Sequence, residues 1–473
     1  MQKGGKKVPG IIIAGLRGGS GKTVVSLGIT AAWKEKGFNV SPFKKGPDYI
    51  DAGWLSKAAG RPCYNLDTFL CPSSAVKYSY IEHSQNCDIC VIEGNRGLYD
   101  GIDTDGSTST AELAKLLNLP ILLVLDCTKA TRTMAALVLG CMKFDPDIRI
   151  IGVILNRVAG KRHEKKLKDN IEKFCQIPVF GAIPKLDSED FPERHMGLVT
   201  SEEHHFADKA IQASIQIVQE NIDLNGLYTL ISRREYSDDS RIRMMGELEV
   251  SRNQKLKPVS VTIGIIRDSA FQFYYPDNID ALIRLGATIV YISPLKETSI
   301  PDVDAIYMGG GFPETHAAEL AQNIEFKRIL KRLSLKGLPI YAECGGLIFL
   351  GQCLSLEGVD YPMTGIFQIR FGLCKQPQGH GYTRIEVVHE NPFFKTGEIL
   401  TGHEFRYSSV LNIDYQDYEM AFRMDRGKGI VDKRDGFFKQ NTFGTYTHIH
   451  ALGTPSWASS LIGMANTYKA LKS

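Results

Sequence analysis

The chain has no apolar run long enough to span a membrane. Its longest, such as residues 119–125, are strand-sized and well short of the roughly 20 residues a membrane helix needs. Net charge is nearly absent too: 56 Lys and Arg against 53 Asp and Glu leave +3, too little to argue for a nucleic-acid partner. The ten cysteines follow no regular framework, which fits reduced thiols in a reducing compartment better than disulfides. Cys87-Asp-Ile-Cys90 has CxxC spacing, but neither a second pair nor a nearby histidine completes a zinc set, so the two read as ordinary cysteines. Repeats, low-complexity tracts and heptads are missing. The basic opening, Met1-Gln-Lys-Gly-Gly-Lys-Lys, leads into a strand without a small-residue cleavage site, and a cytoplasmic location is expected. What is present is a soluble composition, 43% hydrophobic and 23% charged, over 473 residues, enough for about two domains.

The N-terminal half alternates short β-rich runs with helix-length segments: Gly10-Ile-Ile-Ile-Ala, Cys90-Val-Ile-Glu, Pro120-Ile-Leu-Leu-Val-Leu-Asp and Ile148-Arg-Ile-Ile-Gly-Val-Ile-Leu-Asn, with Val179-Phe-Gly-Ala-Ile-Pro ending the series. Runs apolar on both faces and separated by helices read as buried parallel strands of a doubly wound α/β sheet. Residues 232–257 are polar and poor in large apolar side chains, as an exposed linker would be. The domains are therefore placed at 1–231 and 258–473. In the second, Val261-Thr-Ile-Gly-Ile-Ile, Thr288-Ile-Val-Tyr-Ile, Ala305-Ile-Tyr-Met-Gly and Pro339-Ile-Tyr-Ala-Glu restart the α/β alternation.

Directly after the first strand comes Gly15-Leu-Arg-Gly-Gly-Ser-Gly-Lys22-Thr23, then a helix-compatible run. Glycines let backbone N–H groups converge on phosphate oxygens, a lysine adds a point charge, and a Thr hydroxyl at a helix N-terminus can ligate magnesium. Gly15, Gly18, Gly19, Ser20, Gly21, Lys22 and Thr23 are thus the candidate nucleotide site. The leading glycine is one place earlier than in GxxxxGK(S/T), a spacing that resembles the loops of dethiobiotin synthetases and partitioning ATPases. Two acidic segments belong with it: Lys45-Gly-Pro-Asp48-Tyr-Ile-Asp51 and Glu93-Gly-Asn-Arg-Gly-Leu-Tyr-Asp100. Acids at the C-terminal ends of parallel strands point into the ligand crevice of such sheets. Asp48, Asp51 and Asp100 can equally be turn formers. Glu93 is harder to explain away, because a carboxylate ending an apolar strand needs a partner.

In the second half, Ile340-Tyr-Ala-Glu-Cys344-Gly-Gly is a short β-run that breaks at a cysteine into two glycines, the pattern of a nucleophile elbow. The thiol needs a base. Thr445-Tyr-Thr-His448-Ile-His450, read as a β-run with two histidines on one face, supplies one of the two as that base. Gly309-Gly310-Gly311 offers a glycine-lined backbone for an oxyanion hole, at Gly310 and Gly311.

Together these motifs resemble the cobyrinic acid a,c-diamide synthase family, with further matches at Ser109-Thr-Ala-Glu-Leu-Ala-Lys, Pro192-Glu-Arg-His-Met-Gly-Leu and Gly402-His-Glu-Phe-Arg-Tyr-Ser. The resemblance implies two doubly wound domains: an ATP-dependent synthetase like dethiobiotin synthetase, and a flavodoxin-like class I glutamine amidotransferase. It implies a carbon–nitrogen ligase that amidates the a- and c-acetates of a corrin-type tetrapyrrole, using ATP, magnesium and glutamine. The partners implied are small molecules, with no nucleic acid or membrane, and a homodimer is a candidate assembly. By the family pattern Asp48, Ile50, Asp51 and Glu93 line the synthetase site, with Thr23, Asp48 and Glu93 nearest the metal. Arg194 and His195 are candidates for an anionic macrocycle.

Two departures stand out. Many class I amidotransferases place a carboxylate two residues after the catalytic histidine; here that position is His450, so a third member must come from elsewhere or be absent. Family members acting on corrinoids usually carry apolar residues where this chain has Asn95-Arg96, so a sirohaem- or sirohydrochlorin-type substrate is an alternative. A different class, a partitioning-type switch ATPase with a regulatory C-terminal half, draws support from Arg17. The cysteine elbow opposes it.

Overall fold

The computed structural model describes residues 8–186, 207–233, 261–413 and 419–472. Most of the expected linker 232–257 lies outside them, as do Arg194 and His195. The chain divides into two compact units, Met1–Thr68 with Ser73–Gln254, and Phe69–Pro72 with Lys255–Ser473.

The first unit is built on β1 (Gly10–Gly15), β2 (Val40–Lys45), β3 (Tyr64–Leu66), β4 (Ile89–Glu93), β5 (Ile121–Asp126), β6 (Ile150–Val158) and β7 (Val179–Pro184). They form one parallel sheet in the order β3-β2-β4-β1-β5-β6-β7. Ile11, Ile12 and Ile13 are all fully buried although they alternate faces, as a sheet covered on both sides requires. Each such side chain contributes roughly 1.5–3 kcal/mol by leaving water. β1 lies between β4 and β5, so strand order reverses there and a crevice opens at the C-terminal ends. The loop after β1, Glu93 ending β4 and Asp126 ending β5 all meet that crevice.

The second unit contains β8 (Thr262–Ile266), β9 (Thr288–Ile292), β10 (Ala305–Met308), β11 (Ile340–Glu343), β12 (Cys353–Leu356), β13 (Val359–Pro362), β14 (Ile369–Leu373), β15 (Gly379–Val387), β16 (Ile399–Arg406), β17 (Ser408–Ile413), β18 (Glu419–Arg426), β19 (Arg434–Lys439), β20 (Thr442–Thr445) and β21 (His448–Ile449). Ten form one sheet, β21-β16-β15-β18-β19-β20-β11-β10-β8-β9, and β13-β12-β14-β17 form another. The end running from β20 to β9 is parallel, as the α/β alternation predicts. From β20 outward the pairing is antiparallel, an extension the alternation does not announce. Side chains of β10 and β11 alternate between two cores: Ile306, Met308, Ile340 and Ala342 face one, Tyr307 and Tyr341 the other with Phe443 and Trp457. With both faces packed, the C-terminal ends of β10 and β11 hold Gly309–Gly311 and Cys344 rigidly.

Candidate active site

Cys344 follows β11 and opens the short helix Gly345–Leu350 with φ 49° and ψ −100°, a conformation a side chain rarely adopts. Two backbone hydrogen bonds hold it: its N–H donates to the Thr445 carbonyl (2.7 Å), and its carbonyl accepts from Ile348 N–H (3.0 Å). The expected run 445–450 is in fact broken between β20 and β21. Asp435, fully buried, gathers the break: it accepts from Thr445 Oγ1 (2.8 Å), Tyr446 N (3.0 Å), Thr447 N (3.1 Å) and Thr447 Oγ1 (3.0 Å). One carboxylate therefore fixes both the carbonyl that anchors Cys344 and the turn that delivers His448.

His448 and Cys344 both pack against Gly310, and His448 Nδ1 lies 3.4 Å from Glu343 Oε2. Burial of the imidazole opposes its charge, but Cys344 and Glu343 outweigh burial and push it up to about 10. Glu343 is fully buried and held by Tyr307 Oη–H (3.2 Å) and Ile449 N–H (3.2 Å). His450, the other histidine of the pair, lies 3.4 Å from Asp277 instead. Gly310 sits against both members of the pair: a Cβ there would lie 2.6 Å from His448 Cε1 and 3.4 Å from Cys344 Cβ. Gly311 N lies 3.0 Å from where a Cβ on Gly345 would be, so the glycine run backs the elbow directly.

In the first unit, Gly18 and Gly19 face open space, and Gly21 (φ 91°) caps the helix Lys22–Glu35 where a Cβ would strike Asn156 Nδ2 at 2.1 Å. Gly15 packs against Ser20, whose hydroxyl donates to the Arg17 carbonyl (3.1 Å). Lys22 Nζ donates to the Arg17 and Arg96 carbonyls (3.1 and 2.8 Å). Burial pulls its ammonium below the usual lysine range, with Glu93 opposing. Thr23 Oγ1 donates to Glu93 Oε1 (2.8 Å). Lys44, a buried residue the sequence reading did not single out, donates to the same Glu93 oxygen (3.0 Å) and to Asp51 Oδ2 (2.6 Å). Burial works against the Lys44 charge, but Asp51 and Glu93 overcome it and hold the ammonium above the usual range. Burial pushes Glu93 up, to about 7, against Lys44.

Glu93 Oε2 is buried with no hydrogen-bond partner among the described residues. A hydroxyl beside a carboxylate with a spare oxygen suits magnesium, which takes one or two protein ligands and fills its shell from phosphates and water. Asp48, expected with them, instead caps the helix Tyr49–Ala59 by accepting from Asp51 N–H (2.9 Å). Ile50 packs partly buried against the core. Among the described residues no group of three or more His, Cys, Asp or Glu is arranged to hold a metal. Asn95 is half-buried, its N–H donating to Thr110 Oγ1 (3.3 Å), whereas the Arg96 side chain is exposed on a backbone at φ 51°. Arg17 reaches Asp126 (2.8 Å). Cys87 and Cys90 are buried with sulfurs 3.6 Å apart.

Glu343, Lys44 and Asp435 are the residues sequence reasoning missed. Glu343 carried a usable signal, a charge at the end of an otherwise apolar strand, the same reason that singled out Glu93; Lys44, the first of two lysines closing a strand that also holds Ser41, carried a weaker one. Asp435 carried none, since its partners lie ten to twelve residues on, in a turn that appears only in the fold.

Residues 11–199 match the CobQ/CobB/MinD/ParA nucleotide binding domain, and residues 262–456 match the CobB/CobQ-like glutamine amidotransferase domain. A cobyrinate a,c-diamide synthase of Magnetococcus marinus is 40% identical over 455 residues, 96% of this chain and 97% of that one. Namesakes from Archaeoglobus fulgidus (36%, covering 97% and 98%) and Methanobrevibacter smithii (37%, covering 95% and 98%) are similar over the same extent. None of these three is named for a sirohaem-type macrocycle, and a switch ATPase has no counterpart for the second matched domain. The chain, with its phosphate loop in one unit and its cysteine elbow in the other, belongs to the cobyrinate a,c-diamide synthase family.

Proposed function

We propose that this protein is an ATP- and glutamine-dependent ligase that converts the a- and c-acetates of cobyrinic acid to amides, with residues 1–231 as the synthetase and 258–473 as the glutaminase. The observation that carries the reading is the pairing of Cys344 with His448 and Glu343 in a chain that also holds an intact phosphate loop.

In the glutaminase, the proton of the Cys344–His448 pair rests on the imidazole, and the Cys344 thiolate attacks the glutamine amide. The Gly310 and Gly311 backbone faces the oxyanion. His448, oriented by Glu343, returns the proton to the leaving nitrogen, and water then releases glutamate. In the synthetase, carboxylate and ammonia do not condense unaided. Phosphoryl transfer from ATP to the acetate gives a mixed anhydride, from which ammonia displaces phosphate. The loop from Gly15 to Thr23 cradles the phosphates, and Lys22 exchanges its carbonyl partners for phosphate oxygens. Lys44, held by Asp51 and Glu93, supplies a fixed positive charge beside the transferring group. Magnesium, held by Thr23 and Glu93, would neutralise phosphate charge. Asn95 and Arg96, with Arg194 and His195, are assigned to the macrocycle. Among the described residues no helix is long and apolar enough to cross a membrane, and we assign the enzyme to the cytoplasm.

The test is mass spectrometry of cobyrinic acid incubated with the protein, ATP, magnesium and amide-labelled glutamine. Product carrying two labelled amides, with ADP and glutamate released, is expected. Efficient turnover of sirohaem or nickel-sirohydrochlorin with none of cobyrinic acid would overturn the substrate.

A further inference from the structure

His448 has a stacking partner that the chemistry above does not use. His403, on β16, sits directly across from His448 in the β16–β21 pair. The two imidazoles stack with centroids 4.9 Å apart and planes inclined by 21°. On its other side His403 Nδ1 lies 3.1 Å from the hydroxyl of Tyr275, which is fully buried. Tyr275 is itself tied to the strand that carries His448: the Asn278 amide just after it donates to the Ile449 carbonyl (3.0 Å) and accepts from Ala451 N–H (2.7 Å).

We propose that His403, braced by Tyr275, is a positioning residue of the glutaminase: its ring plane fixes the plane of His448, keeping Nδ1 on Glu343 while the ring serves Cys344. The inference rests on the reading of Cys344 and His448 as the glutaminase pair.

Three observations carry it. First, Glu343 and Cys344 meet His448 at the edge of its ring, and edge contacts by themselves constrain tilting about its Cα–Cβ and Cβ–Cγ bonds weakly. A face-on neighbour removes that freedom, and a catalytic group must be held within about 10–20° of its productive orientation. Second, His403 does not compete for the proton: burial, and then the charge of His448, hold it well below the usual imidazole range. Its face therefore stays neutral opposite a cationic ring. Third, the brace is built and buried throughout, with His403 4% exposed and Tyr275 0%.

His403→Ala, His403→Phe and Tyr275→Phe test it, with glutamate release measured against glutamine concentration and ammonia-dependent amidation measured alongside. His403→Ala is expected to lower kcat about 10- to 100-fold at unchanged KM for glutamine. His403→Phe, which keeps a flat face, should restore most of that loss, and Tyr275→Phe should cost less than His403→Ala. All three should keep wild-type ammonia-dependent amidation when assayed well below each variant's own melting temperature, which the loss of buried contacts lowers. Wild-type kcat in His403→Ala would overturn the proposal. So would a phenylalanine no better than alanine, or a loss confined to KM. A wild-type protein that releases no glutamate would overturn the reading of the site itself, a different result from an active wild type indifferent to His403.

Discussion

Glu93 and Glu343 each end a buried parallel strand beside a motif that carries chemistry, yet their surroundings differ. Glu343 is saturated: Tyr307, Ile449 and His448 surround both of its oxygens. Glu93 spends one oxygen on Thr23 and Lys44 and leaves the other buried without a partner among the described residues. Lys22 nearby is likewise held by two backbone carbonyls, partners it can exchange for phosphate. On the proposed function, the glutaminase site draws its catalytic groups from its own residues, whereas the synthetase site keeps Glu93 Oε2 and the exchangeable contacts of Lys22 for nucleotide and metal. Preorganisation is useful where protein groups perform the bond making. It is less useful where the reacting phosphates bring much of their own coordination.

That contrast can be broken most severely at Lys22. Lys22→Ala should lower amidation from either nitrogen source on the order of 10³-fold, by removing the charge on the transferring phosphoryl group, while glutamate release persists. Parallel assays of labelled amide product and of glutamate check it.

Next is Glu343→Gln, expected to slow glutamate release about 10²-fold and to spare ammonia-dependent amidation. Its pH signature follows from His448. Because Glu343 and Cys344 raise this imidazole to about 10, it keeps the proton that the leaving nitrogen needs until pH rises through that value. The alkaline limb of glutaminase kcat/KM should therefore stand near pH 10 in the wild type and move to lower pH in Glu343→Gln. Linkage has the same sign: stabilisation from the raised imidazole is fully present below its unfolded pKa and is lost as pH rises through the folded one.

Asp435→Ala should be felt in stability as well as in rate. It strips a buried carboxylate from the donors of residues 445–447, and about 3 kcal/mol is expected in the urea midpoint of the second unit. Smallest is the effect of making Asn95 and Arg96 apolar, for instance Asn95→Leu with Arg96→Met. The Lys22 contact runs to the Arg96 carbonyl and survives. Phosphoryl transfer should stand while the ratio of kcat/KM between cobyrinic acid and sirohaem shifts by about tenfold or less.

Much of this was legible in the chain. β1, β4, β5 and β6 announce themselves as apolar runs because they are buried on both faces, and the loop from Gly15 to Thr23 and the elbow at Cys344 are local patterns of glycine, lysine and cysteine. The antiparallel strands β15, β16, β18 and β19 were not legible. They are half-exposed and mixed in polarity, and β15 pairs with β18 across 35 residues or more, so no local period marks them as part of the amidotransferase sheet. The break at Tyr446–Thr447 was hidden for a related reason: only the folded position of Asp435 makes a turn there better than a continuous strand. Glu343 stood in plain view next to Cys344. The position two residues after His448, where many class I amidotransferases carry the carboxylate, holds His450, which lies against Asp277.

The most direct test of a self-sufficient glutaminase feeding a nucleotide-dependent synthetase is Cys344→Ala, assayed on cobyrinic acid with ATP, magnesium and either glutamine or an ammonium salt. The expected result is no amide from glutamine and a near wild-type rate from ammonium. Amide formed from glutamine at the wild-type rate, or none from ammonium where the wild type succeeds, would contradict it.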